Sequence, residues 1–202
     1  MRVLIAEDDF DTWIPYKIVL EKRGHSVDIA EDGERCIEKY MIALKDAVKK
    51  EKSDNNYIDR GSERRTRSRI NHDHILSPSS PDLSPFDAVV LDYRMPRKDG
   101  LEVAKEILAA NPSQRIIFAS AYVKETLKES VKELRQIVEL MQKPFLPEAL
   151  VDILEDSEAY HELKKLFVNV RSMIENDFAD PTQDQIRDIF EGLKRIQKGR
   201  TF

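Results

Sequence analysis

The sequence predicts an α/β fold: a doubly wound, five-stranded parallel sheet with helices on both faces. Three observations carry that prediction. Strand-like apolar runs alternate with amphipathic stretches of helical period between residues 2 and 156. One run, Ala88 to Leu91, has no polar position, the pattern of a strand buried on both faces. Each join from one strand to the next carries a helix, which parallel pairing requires. Sheets of this class open their functional crevice at the carboxyl ends of the strands.

In chain order, "RVLIA" (2–6) reads as the first strand. A helix is expected from Asp11 to Arg23, with Trp13, Ile14, Ile18, Val19 and Leu20 on its apolar face. Pro15 is assigned to its first turn, where proline is tolerated, and Gly24 to its stop. "SVDIA" (26–30) alternates as a second strand, and "DGERCIEKYMIALKDAVKK" places Cys36, Ile37, Tyr40, Met41, Leu44, Ala47 and Val48 at helical period. Later come the strand "FDAVVL", the helix "GLEVAKEILAAN", the strand "RIIFAS", the helix "KETLKESVKELRQ", the strand "IVELMQ" and the helix "PEALVDILED".

Two stretches stand outside this alternation. Residues 51–85 are polar, rich in Ser, Asp, Asn and Arg, and end in prolines spaced through serines. A stretch this long is read as an insertion between the second helix and third strand, with at most a short element near Ile70 to Leu76. Residues 157–202 show no strand pattern. Tyr160, Leu163, Leu166, Phe167, Val170, Met173 and Ile174 form one helical stripe, and Ile186, Ile189, Phe190, Leu193 and Ile196 another. The expected organisation is one domain over 1–156, carrying the insertion, and a C-terminal helical hairpin over 157–202.

Of the 202 residues, 41% are hydrophobic and 35% charged, with a net charge of −5, which fits a soluble acidic protein. That balance argues against a nucleic-acid surface over the whole molecule. Cys36 is the single cysteine, so no intrachain disulfide can form, and a cytoplasmic location is expected. The N-terminal apolar run meets acids too soon for a signal peptide, and no window reaches the ~18 apolar residues of a membrane helix.

The chemistry lies at the strand ends. The first strand runs into Glu7, Asp8 and Asp9, the third into Asp92, the fourth into Ser120 and the fifth into Lys143 and Pro144. If the first, third, fourth and fifth strands are neighbours, one crevice gathers several acids, a hydroxyl and an ammonium. Clustered carboxylates repel unless a cation neutralises them, and one lysine is too few. An all-oxygen set suits a hard ion such as Mg2+, whose remaining positions suit a phosphoryl group. An aspartate carboxylate can then be the nucleophile toward phosphorus.

"LIAEDD", "VVLDYRMPRKDG", "FASA" and "QKPF" resemble, in order, the four signatures of the receiver domain of two-component response regulators. The resemblance covers Met1 to about Asp156, the insertion apart. It implies a flavodoxin-like sheet of order 2-1-3-4-5, with Asp92 as phosphoacceptor. Glu7 and Asp8 become the acidic pair that holds Mg2+, Asp8 directly, joined by Asp92 and the main-chain carbonyl of Arg94. Ser120 and Lys143 become the phosphoryl-binding hydroxyl and ammonium, and the bond before Pro144 is expected to be cis. The spacing from Asp8 to Asp92 is 84 residues, stretched by the insertion at a join away from the phosphorylation face. Leu140 stands where the family has an aromatic switch residue, and Arg94 and Tyr122 where it tunes phosphoryl lifetime.

The resemblance also implies partners: a sensor histidine kinase, and a downstream protein reached through the fourth helix, fifth strand and fifth helix. Residues 152–202 hold 11 acidic against 8 basic residues, which favours a protein–protein output for the tail, including homodimerisation, over DNA binding. Two alternatives stay open: a phosphorelay intermediate passing phosphate to a histidine, and a DNA-binding regulator using "RGSERRTRSR" (60–69). Capping of the first helix is the competing role for Asp9 and Asp11. "HDH" (72–74) lacks further ligands, and His161 in "YHELKK" is a weak echo of a phosphoacceptor helix.

Overall fold

Strong β-formers at 2–6, 26–30 and 88–91 pair side by side although the chain visits them far apart. The computed structural model describes residues 1–58, 83–121, 134, 138–158, 160–162 and 164. Five strands, β1 (Arg2–Ala6), β2 (Ser26–Ala30), β3 (Ala88–Leu91), β4 (Ile116–Ser120) and β5 (Val138–Gln142), form one sheet in the order β2-β1-β3-β4-β5. Every pairing is parallel. The described helices are α1 (Phe10–Lys22), α2 (Gly33–Ile58), α3 (Gly100–Ala110) and α4 (Pro147–Glu155). Among the described residues, none of the helices is long and apolar enough to cross a membrane.

Because side chains alternate along a strand, the central strands feed two cores. Leu4, Ala6, Val89, Leu91, Ile116 and Phe118 pack on one face with Cys36 and Tyr40 of α2 and Val103, Ala104 and Ile107 of α3. Val3, Ile5, Ala88, Val90, Ile117 and Ala119 pack on the other with Tyr16 and Leu20 of α1 and Leu150, Val151 and Leu154 of α4. Burial pushes the Cys36 thiol up to about 12, which keeps it protonated and unreactive at neutral pH.

α1 departs from expectation in two ways. Pro15 lies in the second turn, not the first, because the helix begins at Phe10. The helix runs on without the bond Pro15 cannot donate, and burial of Tyr16 and Leu20 offsets that loss. The core-facing side chains are Tyr16 and Leu20, while Ile18 is 45% exposed. At the far end, Gly24 has φ +81. Its N–H donates to Glu21 O, and that of His25 to Leu20 O, both at 3.0 Å, closing a Schellman turn that only a residue tolerant of positive φ makes cheaply.

α2 continues past Lys50 to Ile58, into the stretch read as insertion, since residues 51–58 contain neither proline nor glycine to stop it. β3 is shorter than the run "FDAVVL": Phe86 is buried ahead of the strand, and Asp87 accepts the Arg2 N–H at 2.5 Å. The rest of the insertion, the helix expected over 124–136 (Leu134 apart), Tyr122, and the tail beyond Lys164 lie outside the described residues.

At the amino end of the sheet an arginine is buried, a costly act unless every charge and donor is matched. Arg115 is 5% exposed and Glu139 8%. The guanidinium grips Glu139 with two bonds, Nε to Oε2 at 2.7 Å and Nη2 to Oε1 at 3.0 Å. It also donates to Leu154 O at 3.0 Å and Ile153 O at 2.7 Å, satisfying carbonyls at the end of α4. Its flat face covers the Tyr160 ring, 4.5 Å from the centroid.

Candidate functional site

The backbone ladder runs one step beyond the strands at the carboxyl end, and that step positions the acids. Glu7 N–H donates to Ala30 O at 3.0 Å, and Asp92 N–H to Ala6 O at 2.9 Å. Glu7 and Asp92 therefore emerge beside one another on adjacent strands. Lys143 enters from β5, its N–H bonded to Ser120 O at 2.9 Å, after which the Lys143–Pro144 bond is cis. Ser120, the last residue of β4, is 1% exposed.

Three carboxylates converge. One oxygen from each of Glu7, Asp8 and Asp92 lies within 4.8 Å of the others. Lys143 Nζ spans two of them, bonding Glu7 Oε2 and, at 3.0 Å, Asp92 Oδ1. The other Asp92 oxygen accepts the Arg94 N–H at 3.1 Å. Asp9 turns away: it is the N-cap of α1, accepting from Asp11 N at 3.3 Å and from the Thr12 hydroxyl. That division leaves Asp8, not Asp9, in the cluster.

Electrostatics set the character of the crevice. Two carboxylates at such a separation repel by about 3 kcal/mol at an effective dielectric near 20. Burial raises the Glu7 carboxyl above its ordinary 4.5, and the Asp92 charge adds to the rise, while the bond to Lys143 works against it. For Lys143 burial acts to lower the ammonium, but the bond to Glu7 and the charges of Glu7 and Asp92 outweigh it. The net shift is upward, so Lys143 stays charged. One ammonium thus faces three acids. An all-oxygen, partly open donor set with surplus negative charge fits a hard divalent cation.

The loop after β3 is held from below by α3. Gly100 N–H donates to Tyr93 O at 3.0 Å. A Cβ at Gly100 would fall on the Asp92 carbonyl oxygen and within 3.2 Å of Tyr93 Cα, so the Asp-Gly pair ending the motif leaves no room for a side chain. Asp99 caps α3 and Glu102 returns the bond, a capping box visible in "DGLE" but not used in the sequence reading. Tyr16 was also missed: its ring stacks on Phe145 at 5.1 Å, fastening α1 to the turn that carries Lys143. Leu140, opposite Phe118 in register, is half-buried against the core.

Comparison with known proteins bears on the fold and its family likeness. Residues 79–155 match the response regulator receiver domain family. The transcriptional regulatory protein RprY of Bacteroides fragilis is 27% identical over 152 residues, 74% of this chain and 46% of that protein. Chemotaxis protein CheY of Listeria monocytogenes is 34% identical over 74 residues, 34% of this chain and 57% of that protein. The chain spans about half the length of these curated relatives. Among solved structures, a CheY-like receiver domain protein from Methanospirillum hungatei superposes with TM-score 0.52 at 16% identity, covering 77% of this chain and 90% of that one. Vibrio cholerae CheY4 gives 0.52 at 18%, covering 76% and 95%. At those identities the likeness is one of fold, and the sheet order 2-1-3-4-5 is the one expected from the motifs. Sheet order, motif sequence and the family match over residues 79–155 converge on one likeness: the chain resembles a response regulator receiver domain.

Proposed function

We propose that Asp92 is the phosphoacceptor of this receiver and that Glu7, Asp8, Asp92 and the main-chain carbonyl of Arg94 hold Mg2+. The observation that carries this reading is the unequal charge of the crevice, three convergent carboxylates against one ammonium that bridges Glu7 and Asp92. A bound Mg2+ offsets the charge on the phosphoryl oxygens as it develops. The chain's own groups do the rest. An Asp92 oxygen attacks phosphorus, the bond from phosphorus to the kinase histidine nitrogen breaks, and that nitrogen takes a proton as it leaves. Lys143 moves from its pairing with Asp92 to a phosphoryl oxygen, and the Ser120 hydroxyl donates to another.

The donor in this reading is a sensor histidine kinase, in the cytoplasm, and the output is contact with a downstream protein. Residues 1–156 act as the receiver and 157–202 as a helical extension serving that contact or homodimerisation. With Leu140 at the switch position, the signal leaves the crevice by a repacking that needs no aromatic ring. Incubation of the full chain with acetyl phosphate and Mg2+ tests the assignment. Acid-stable, base-labile phosphate is expected on the parent, with uptake lost in Asp92→Asn and after chelation. Equal labelling of Asp92→Asn would refute it.

A further inference from the structure

The loop that carries Asp92 and Arg94 turns back at Pro96–Lys98, and its turn is not relaxed. Lys98 N–H donates to Pro96 O at 2.8 Å across Arg97, which has φ 68. This is a γ-turn, in a region that L-residues enter at a steric cost. Arg97 is the only non-glycine residue with positive φ among the described residues, so something outside the loop must hold it.

The holder is the turn before α2. Asp32 is 5% exposed, and its Oδ1 caps α2 by accepting the Arg35 N–H at 2.8 Å. Its other oxygen, Oδ2, meets Arg97 Nη1 at 3.2 Å, with Arg35 Nε more distant at 3.6 Å. Glu34 Oε2 stands 3.7 Å from the same Arg97 nitrogen. Gly33 packs so closely that a Cβ there would lie 2.7 Å from Lys98 Cβ and 2.9 Å from Val103 Cγ2. The loop is thus gripped twice: at its far end Gly100 rests on the Asp92 backbone, and at its tip the 32–34 turn rests on Arg97 and Lys98.

We infer that the Arg97–Asp32 ion pair is a brace that keeps the 93–98 loop in its cation-binding shape, making Arg97 a positioning residue for the crevice. The inference rests on the reading of Asp92 and its neighbours as a Mg2+ site. Arg97 pairs with Asp32 and Glu34 rather than with the crevice carboxylates of Glu7, Asp8 and Asp92; it acts by fixing the loop from which the Arg94 carbonyl and the Asp92 side chain are presented.

The test uses the full chain with Asp32→Asn, which keeps an efficient helix cap, Arg97→Ala, and the two combined. Two quantities are measured: amide hydrogen exchange across residues 93–98 without metal, and Mg2+ affinity by calorimetry. Exchange is expected to quicken in each single variant, and Mg2+ affinity to fall about threefold, as suits a half-exposed pair. The double variant should go no further than either single one, since both remove the same contact. Effects that add independently, or variants matching the parent in both measurements, would overturn the brace. If the parent binds no Mg2+, the crevice reading fails and the positioning role falls with it. If the parent binds Mg2+ and the variants bind it equally, the brace alone is wrong.

Discussion

β4 and β5 carry an ionic cluster at each end, and the two clusters have opposite charge balance. At the amino end Arg115 and Glu139 are matched one to one, doubly bonded, with the spare donors on Ile153 O and Leu154 O. At the carboxyl end, roughly 15 Å along the strands, Lys143 faces Glu7, Asp8 and Asp92. The first cluster is complete as it stands. The second holds more carboxylates than ammonium groups, a surplus of negative charge. The same sheet geometry therefore makes a rivet at one end and a receptive site at the other, and the difference lies in counting charges against partners.

The sharpest way to break this comparison is to remove one member of the rivet. Arg115→Met leaves the Glu139 carboxylate buried without a partner, and a loss of about 3 kcal/mol in urea unfolding is expected. Adding Glu139→Leu should recover most of that loss; no recovery would mean that Arg115 acts through the carbonyls and Tyr160 rather than the ion pair. A smaller effect is expected at the other end, from ligand rather than mutation. Mg2+ at about ten times its dissociation constant should stabilise the parent by about 1.4 kcal/mol. Asp92→Asn should lose most of that response and Arg115→Met keep it, both read as shifts in thermal midpoint.

The smallest effect concerns pH. Burial holds the Glu7 carboxyl above its ordinary 4.5, so the folded chain binds that proton more tightly than the unfolded one. The contribution of Glu7 to stability is then fully present below pH 4.5 and is lost as pH rises through the folded value. In metal-free buffer a stability-against-pH curve should show this loss, and Glu7→Gln should flatten it. A curve unchanged by Glu7→Gln would show that the crevice tolerates its charge without help.

The parts of this design that could be read from the sequence are those carried by local pattern. Strand ends announce themselves where an apolar run meets an acid or lysine, so Glu7, Asp8, Asp92, Ser120 and Lys143 stood out as candidates, and the structure brings Glu7, Asp8, Asp92 and Lys143 together. Parallel order followed from the helices between strands. What pattern could not show is pairing across the chain. Arg115 and Glu139 each read as ordinary charged residues near a strand, and only the β4–β5 pairing brings them together. Asp32 and Arg97 meet for a similar reason, because α2 and α3 share a face of the sheet. The helical period of α1 was recognised, but its phase was not: Ile18 faces outward and Tyr16 inward, a choice made by the stack on Phe145. Polar residues 51–58 gave no apolar stripe to follow, so the length of α2 was underread.

The contact of Arg115 with Tyr160 bears on how a minimal version of this protein should be cut. A chain trimmed at the end of α4 would strip the ring from the guanidinium and open the buried pair beneath it to water. Such a fragment would differ from its parent at the sheet's amino edge as well as in length, so its melting behaviour would be a poor baseline for judging what the tail contributes.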